Sequence, residues 1–108
     1  MKSLGKKYDD DYTEKPPIAL LPISGLFEAA KVMGFGATKY GKYNWAGGIE
    51  YTRLTSAAMR HILYFLGGED LDPETGISHI AHAICCLLML HEMIVRYPDM
   101  DDRLVMEG

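Results

Sequence analysis

Three of the four histidines in this 108-residue chain, and four of its carboxylates, fall between Arg60 and His82. Arg60-His61 comes first, then the acidic stretch Gly68-Glu69-Asp70-Leu71-Asp72-Pro73-Glu74-Thr75-Gly76, then His79-x-x-His82. On a helix, offsets of three and four put His79, His82 and Cys86 on one face. Imidazoles mixed with carboxylates suit Zn, Mn or Fe, and oxygen-only ligation suits Mg. Imidazolium can also contact a phosphate directly. His61, Glu69, Asp72, His79 and His82 are therefore the expected metal and water-handling residues, with Glu69 and Asp72 as the catalytic carboxylates. The plainer alternative is a polar layer in which each histidine is satisfied by a neighbour. Cys86 in an apolar helix is ordinary packing.

A second candidate group surrounds Gly41. Lys39, Tyr40, Asn44 and Trp45 lie in a segment dense in glycine, aromatic and lysine residues. There Lys39 could neutralise a phosphate, Asn44 could read a polar edge, and Trp45 or Tyr40 could stack on a base. Spacing alone favours a loop pinned to the core by its aromatics. Arg60 could fork onto a phosphate from its own part of the helix surface.

These residues need a scaffold, and the pattern predicts an all-α one of about three main helices. No run alternates polar and apolar residues over the length of a strand. Ser24 reads as an N-cap for a first helix that Gly34 and Gly36 end or kink, with a further short helix at 37–40. A second helix runs from near Thr52 to Leu66, stopped by Gly67-Gly68, with Leu54, Ala58, His61 and Phe65 on one face. For the third, Asp72 is placed as N-cap, Pro73 at the first helical position and Glu74 at the positive end of the dipole. It extends to about Arg96 and is apolar around most of its circumference, as a central helix would be. Residues 1–17, ending in Lys15-Pro16-Pro17, read as an extended arm, and residues 18–108 as a single domain. Three such helices bury little alone, so the bundle is expected to be completed by a homo-oligomer, a dimer or tetramer.

Composition narrows the partners. A net charge of -4 argues against a nucleic acid polymer, which needs many Lys and Arg phosphate contacts. Lys2, Lys6 and Lys7 are not followed by an apolar run, and the adjacent Cys85 and Cys86 suit no disulfide, so a reducing cytoplasm is expected. The apolar stretch from Ala83 to Leu90 is too short for a membrane span.

Taken together, the motifs resemble a phage protein family, the N-terminal domain of dATP/dGTP diphosphohydrolase. The residues that carry the resemblance are Lys15-Pro16, Leu20-Leu21-Pro22, Phe35-Gly36-Ala37-x-Lys39-Tyr40-Gly41, Asn44-Trp45-x-x-Gly48, Arg60-His61, Gly68-Glu69-x-x-Asp72-x-Glu74-x-Gly76 and His79-x-x-His82-Ala83. The resemblance implies a metal-dependent enzyme of the host cell cytoplasm that splits a purine deoxynucleoside triphosphate into monophosphate and pyrophosphate. Mg or Mn is then the expected ion, with Zn or Fe as alternatives, and the expected partner is a purine deoxynucleotide. MazG-like all-α pyrophosphohydrolases, more distant relatives, hold Mg with paired acidic residues, where this chain has His79-x-x-His82. That difference keeps a second expectation open, a nucleotide-binding or sequestering protein without turnover.

Overall fold

The structure, a computed structural model, describes residues 12–107. Most of the expected N-terminal arm lies outside them; residues 12–17 form no helix. Three helices carry the fold: α1 (Ile23–Tyr40), α2 (Tyr51–Leu66) and α3 (His79–Arg96). Short 3₁₀ turns at Ile18–Leu20, Asn44–Gly47 and Pro98–Met100 connect or follow them. The only bridge of β type among the described residues is an isolated pairing of Leu71 with Ser78, so the all-α expectation holds.

Two helix boundaries differ from the sequence reading. Ser24 is not the cap of α1: the helix starts at Ile23, directly after Pro22, whose backbone is extended. It then runs unbroken through Gly34 and Gly36, and the expected short helix at 37–40 is its last turn. Each interior glycine costs a helix about 1 kcal/mol, a penalty that tertiary packing routinely outweighs. Here Met33 Sδ meets Cys85 Sγ of α3 at 3.0 Å, and Gly25 sits close under Ile84. Gly41, at φ 91°, makes the actual stop.

The second correction concerns α3, which begins at His79 and not in the acidic stretch. Its N-cap is Ser78, whose hydroxyl accepts from the N–H groups of Ile80 and Ala81. Asp72-Pro73-Glu74-Thr75 forms a turn instead. The Asp72 Oδ1 accepts from the N–H of Glu74 at 2.8 Å and of Thr75 at 3.2 Å, and the Gly76 N–H returns to the Asp72 carbonyl at 2.7 Å. Asp followed by Pro serves the start of a turn as well as that of a helix, because Pro fixes the same φ in both. The Asp72 N–H to Ile77 carbonyl bond then folds 71–78 back as a small hairpin-like loop.

α3 is central. It packs along α2 and, less extensively, along α1, while α1 and α2 scarcely touch each other. The layer is thin as a result. Tyr51, Leu54 and Met93 are its buried centre, with Trp45, Ile49, Met89, Leu90, Tyr97 and Met100 packed around them. Alanines 29, 58, 81 and 83 are buried elsewhere, where their small side chains permit close approach. Met59, Ile62, Leu63 and Leu66, at offsets of three, four and seven, leave an apolar stripe of α2 in solvent. Phe65, placed by the sequence reading on the same face as Leu54 and Ala58, is exposed. α3 as a whole is apolar enough to cross a membrane by length and composition, more so than the Ala83–Leu90 stretch suggests, yet here it is the helix on which the other two pack.

Candidate functional site

His61 projects from the third turn of α2 toward the start of α3, and His79 is the first residue of α3. The Ser78 cap and the Asp70 carbonyl, which accepts from the His79 N–H at 2.9 Å, fix where that residue sits. The two rings meet through like atoms, with Nδ1 of His61 2.9 Å from Nδ1 of His79. Two imidazole nitrogens this close must share a proton or a cation. On its far side, His79 Nε2 contacts Glu69 Oε1 at 2.6 Å. An ionised carboxylate only accepts, so Nε2 carries the hydrogen toward Glu69 and Nδ1 is the nitrogen that faces His61. His79 is 1% exposed, and Tyr64 stacks over it at 5.3 Å.

Asp72 completes a three-residue set. One of its oxygens holds the turn, and the other, Oδ2, lies 3.9 Å from His61 Nδ1. One ligand atom each from His61, Asp72 and His79 falls within 4.8 Å of the others. Two atoms each about 2.1 Å from one ion, at right angles, stand about 3.0 Å apart. The Nδ1 pair matches that separation, and a carboxylate accepting from the outer ring N–H is the usual support of a metal-bound histidine. Two imidazoles and one carboxylate fit Mn, Fe or Zn better than Mg.

The other two expected ligands are placed differently. Glu69 reaches the set only through His79. His82 stacks on His61 at 4.5 Å, nearly parallel, and its Nε2 meets the Thr75 hydroxyl at 2.7 Å. The Thr75 hydroxyl also accepts from the Ile77 N–H at 3.1 Å, and the His82 tautomer sets which of the two groups donates in their own contact. Burial, followed by the neighbouring histidines His82 and His79, lowers the pKa of His61; burial likewise lowers that of His82. Both are therefore neutral near pH 7, the form that ligates. For Asp72, burial pushes upward, but the Glu74 and Thr75 N–H groups and then His82 and His61 outweigh it and hold the carboxyl below its usual range.

A cavity of about 620 Å³ opens between the end of α1, the 41–48 loop and the α2–α3 pair; no residue of the three-residue set lines it, and Arg60, the residue before His61, does. Tyr40, Asn44, Trp45 and Arg60 all line it, and Arg53, one turn pair earlier on the face of Arg60, joins them. Val32, Met33, Cys85, Cys86 and Met89 give it apolar walls. The volume suits a small organic ligand. Arg60 and His61 are consecutive on α2 and so turn about 100° apart, one toward the cavity and one toward the three-residue set. Burial raises the pKa of both thiols, that of Cys85 to about 11, so neither is a nucleophile.

Lys39 is not among the lining residues of this cavity. Its Nζ pairs with Glu74 Oε2 at 2.9 Å, outside it, tying α1 to the acidic turn. Sequence reasoning did not select Arg53, Tyr64, Thr75 or Ser78. Arg53 and Tyr64 were findable from their offsets of seven and three from Arg60 and His61, and Ser78 from its place just before a helical run. The role of Thr75 depends on the turn, and nothing in the sequence announces it.

A family model described as dATP/dGTP diphosphohydrolase, N-terminal, matches residues 5–103. A curated relative, the dATP/dGTP diphosphohydrolase of Salmonella phage PMBT28, is 36% identical over 99 residues, covering 92% of this chain. The aligned region is 33% of that relative, so the chain spans about a third of the length of the protein it matches. No solved structure matches the chain.

Proposed function

This chain belongs to the dATP/dGTP diphosphohydrolase N-terminal family, and on that premise we propose that it is a nucleotide pyrophosphohydrolase, converting dATP or dGTP to the monophosphate and pyrophosphate. The observation that carries this reading is the convergence of His61, Asp72 and His79, with Arg60, the residue before His61, lining a cavity together with Trp45 and Arg53. A divalent cation held by these three residues, Mn or another ion tolerant of imidazole, would polarise a phosphoryl oxygen and lower the pKa of a bound water. The protein's own contributions are separate. Trp45 and Tyr40 offer stacking surface for the purine, and Asn44 a polar edge. Arg60 and Arg53 neutralise phosphate charge, and Arg60, next in sequence to His61, directs the phosphates toward the histidines. Glu69 holds the His79 ring in one tautomer and orientation, and Asp72 couples the acidic turn to the set. Lys39 would reach a phosphate only by leaving Glu74, so we assign it to the turn.

The test is to incubate the purified protein with each dNTP and Mn, Mg, Zn or Fe(II), and to measure monophosphate and pyrophosphate together. Equimolar release from dATP or dGTP, abolished by His79→Ala, is the expected result. Intact nucleotide with every metal would sink the catalytic reading. His79-x-x-His82, standing where MazG-like enzymes have paired acidic residues, favours one alternative, a nucleotide-binding unit without turnover, for which calorimetry would show binding and recovery of unaltered ligand. We further propose a homo-oligomer, on the strength of the uncovered α2 stripe and of Leu87, Leu88 and Val95 exposed on the central helix, and, from the phage relative, a place in the host cytoplasm. Light scattering that gives a monomer mass would refute it.

A further inference from the structure

Within the loop that carries Asn44 and Trp45, the N–H groups of Asn44, Ala46 and Gly48 donate to the carbonyls of Gly41, Tyr43 and Trp45. Gly41, Tyr43 and Gly48 all have positive φ, at 91°, 63° and 101°, and a single 3₁₀ turn is its only regular structure. Glycine adopts such angles freely, but a left-handed tyrosine such as Tyr43 persists when surrounding structure over-determines it. That surrounding structure comes from the far end of the chain. The Tyr97 hydroxyl donates to the Ala46 carbonyl. The Met100 side chain lies so close to Gly48 that a Cβ there would stand 3.0 Å from its Cε. The Ile49 N–H contacts Met93 Sδ at 3.2 Å. Asp102 then accepts from both the N–H and the hydroxyl of Thr52, at 2.9 and 2.5 Å, capping an α2 start that Glu50 leaves without a side-chain cap. The ties bracket the loop from Ala46 to Thr52.

We infer that Tyr97 and Asp102 are positioning residues that set the Trp45 wall of the cavity for the nucleoside. They act through the loop backbone and the first turn of α2, and neither lines the cavity. The inference rests on the reading of that cavity as the nucleoside site. Its signature is a raised KM with kcat retained, because Asp72 and His79 are anchored on the acidic turn and the start of α3, and His61 lies in the third turn of α2, away from the start that Asp102 caps.

The experiment compares Tyr97→Phe, Asp102→Asn and Trp45→Ala in the full chain, with melting temperature and fluorescent-nucleotide affinity beside the kinetics. Tyr97→Phe keeps the ring and removes only the hydroxyl, so folding is preserved. A rise of 5-fold or more in KM and Kd for Tyr97→Phe, with kcat within 2-fold, is expected on the order of one lost hydrogen bond of about 1 kcal/mol. Asp102→Asn should move KM in the same direction. If Trp45→Ala weakens nucleotide binding but the other two leave KM and Kd unchanged, the positioning role is refuted and the cavity reading stands. If Trp45→Ala leaves binding intact, the cavity reading fails and the inference with it. Should the protein bind without turning over, Kd alone decides.

Discussion

His61 and His79 meet through Nδ1 atoms 2.9 Å apart, although 18 residues of chain separate them. Every other contact in the cluster serves this meeting. Glu69 fixes the far nitrogen of His79, His82 stacks against His61, and Asp72 faces His61 from the turn. Such an arrangement has a tautomer, an orientation and a charge state, so it can be tested part by part.

Metal addition should stabilise the protein. Mn or Zn at 100 times its Kd raises stability by about 2.7 kcal/mol, and the melting temperature should rise accordingly. Glu69→Gln keeps the size of the side chain but removes the charge behind His79, and should weaken metal affinity about 10- to 100-fold. Isothermal titration on the two proteins checks this; equal affinities would remove Glu69 from the site.

The metal-free protein should lose stability as pH falls from 7.5 to 5.5. His61 and His82 have folded pKa values below their ordinary 6.5, so between the two values the unfolded chain binds more protons. Their contribution is complete above about pH 6.5 and is lost as pH falls through the lowered folded values. Asp72 acts with the same sign but below its ordinary 3.8, outside this window. Chemical denaturation in chelator at several pH values, with His82→Gln flattening the profile, is the measurement.

Ser78→Ala should destabilise the fold by about 1 kcal/mol, the typical worth of an N-cap side chain. Because His79 is the next residue, metal affinity should fall with it. Asp72→Asn, in contrast, should leave the start of α3 in place, since Asp72 caps the turn and not the helix. Circular dichroism melts of the two variants distinguish these assignments.

Gly48→Ala should cost about 1–3 kcal/mol, the range for a side chain forced into a backbone region suited to glycine. Met100→Ala in the same protein should recover only the contact part of that loss, leaving the φ of 101°. Full recovery by Met100→Ala would show that crowding, and not backbone conformation, is what requires glycine. Urea denaturation of the single and double variants measures each part.

The sequence itself determined the helix count, the identity of α2 almost to the residue, and the residues from which the chemistry is drawn. Those properties are local: a period near 3.6, a Gly67-Gly68 stop, and side chains able to ligate or stack. Tertiary structure decided which of them meet. Gly34 and Gly36 lie inside α1 because packing on α3 outweighs two small local penalties. The acidic stretch is a turn because Asp72 and Pro73 suit a turn and a helix start equally, and the Leu71–Ser78 pairing and the Ser78 cap resolve that tie. With α3 starting at His79, ligand atoms of His61, Asp72 and His79 lie within 4.8 Å of one another, while Glu69 contacts the far nitrogen of His79 and His82 contacts Thr75. The distance from His61 to His79 is a property of two helices packed together, and a residue order carries no distance across a packed interface.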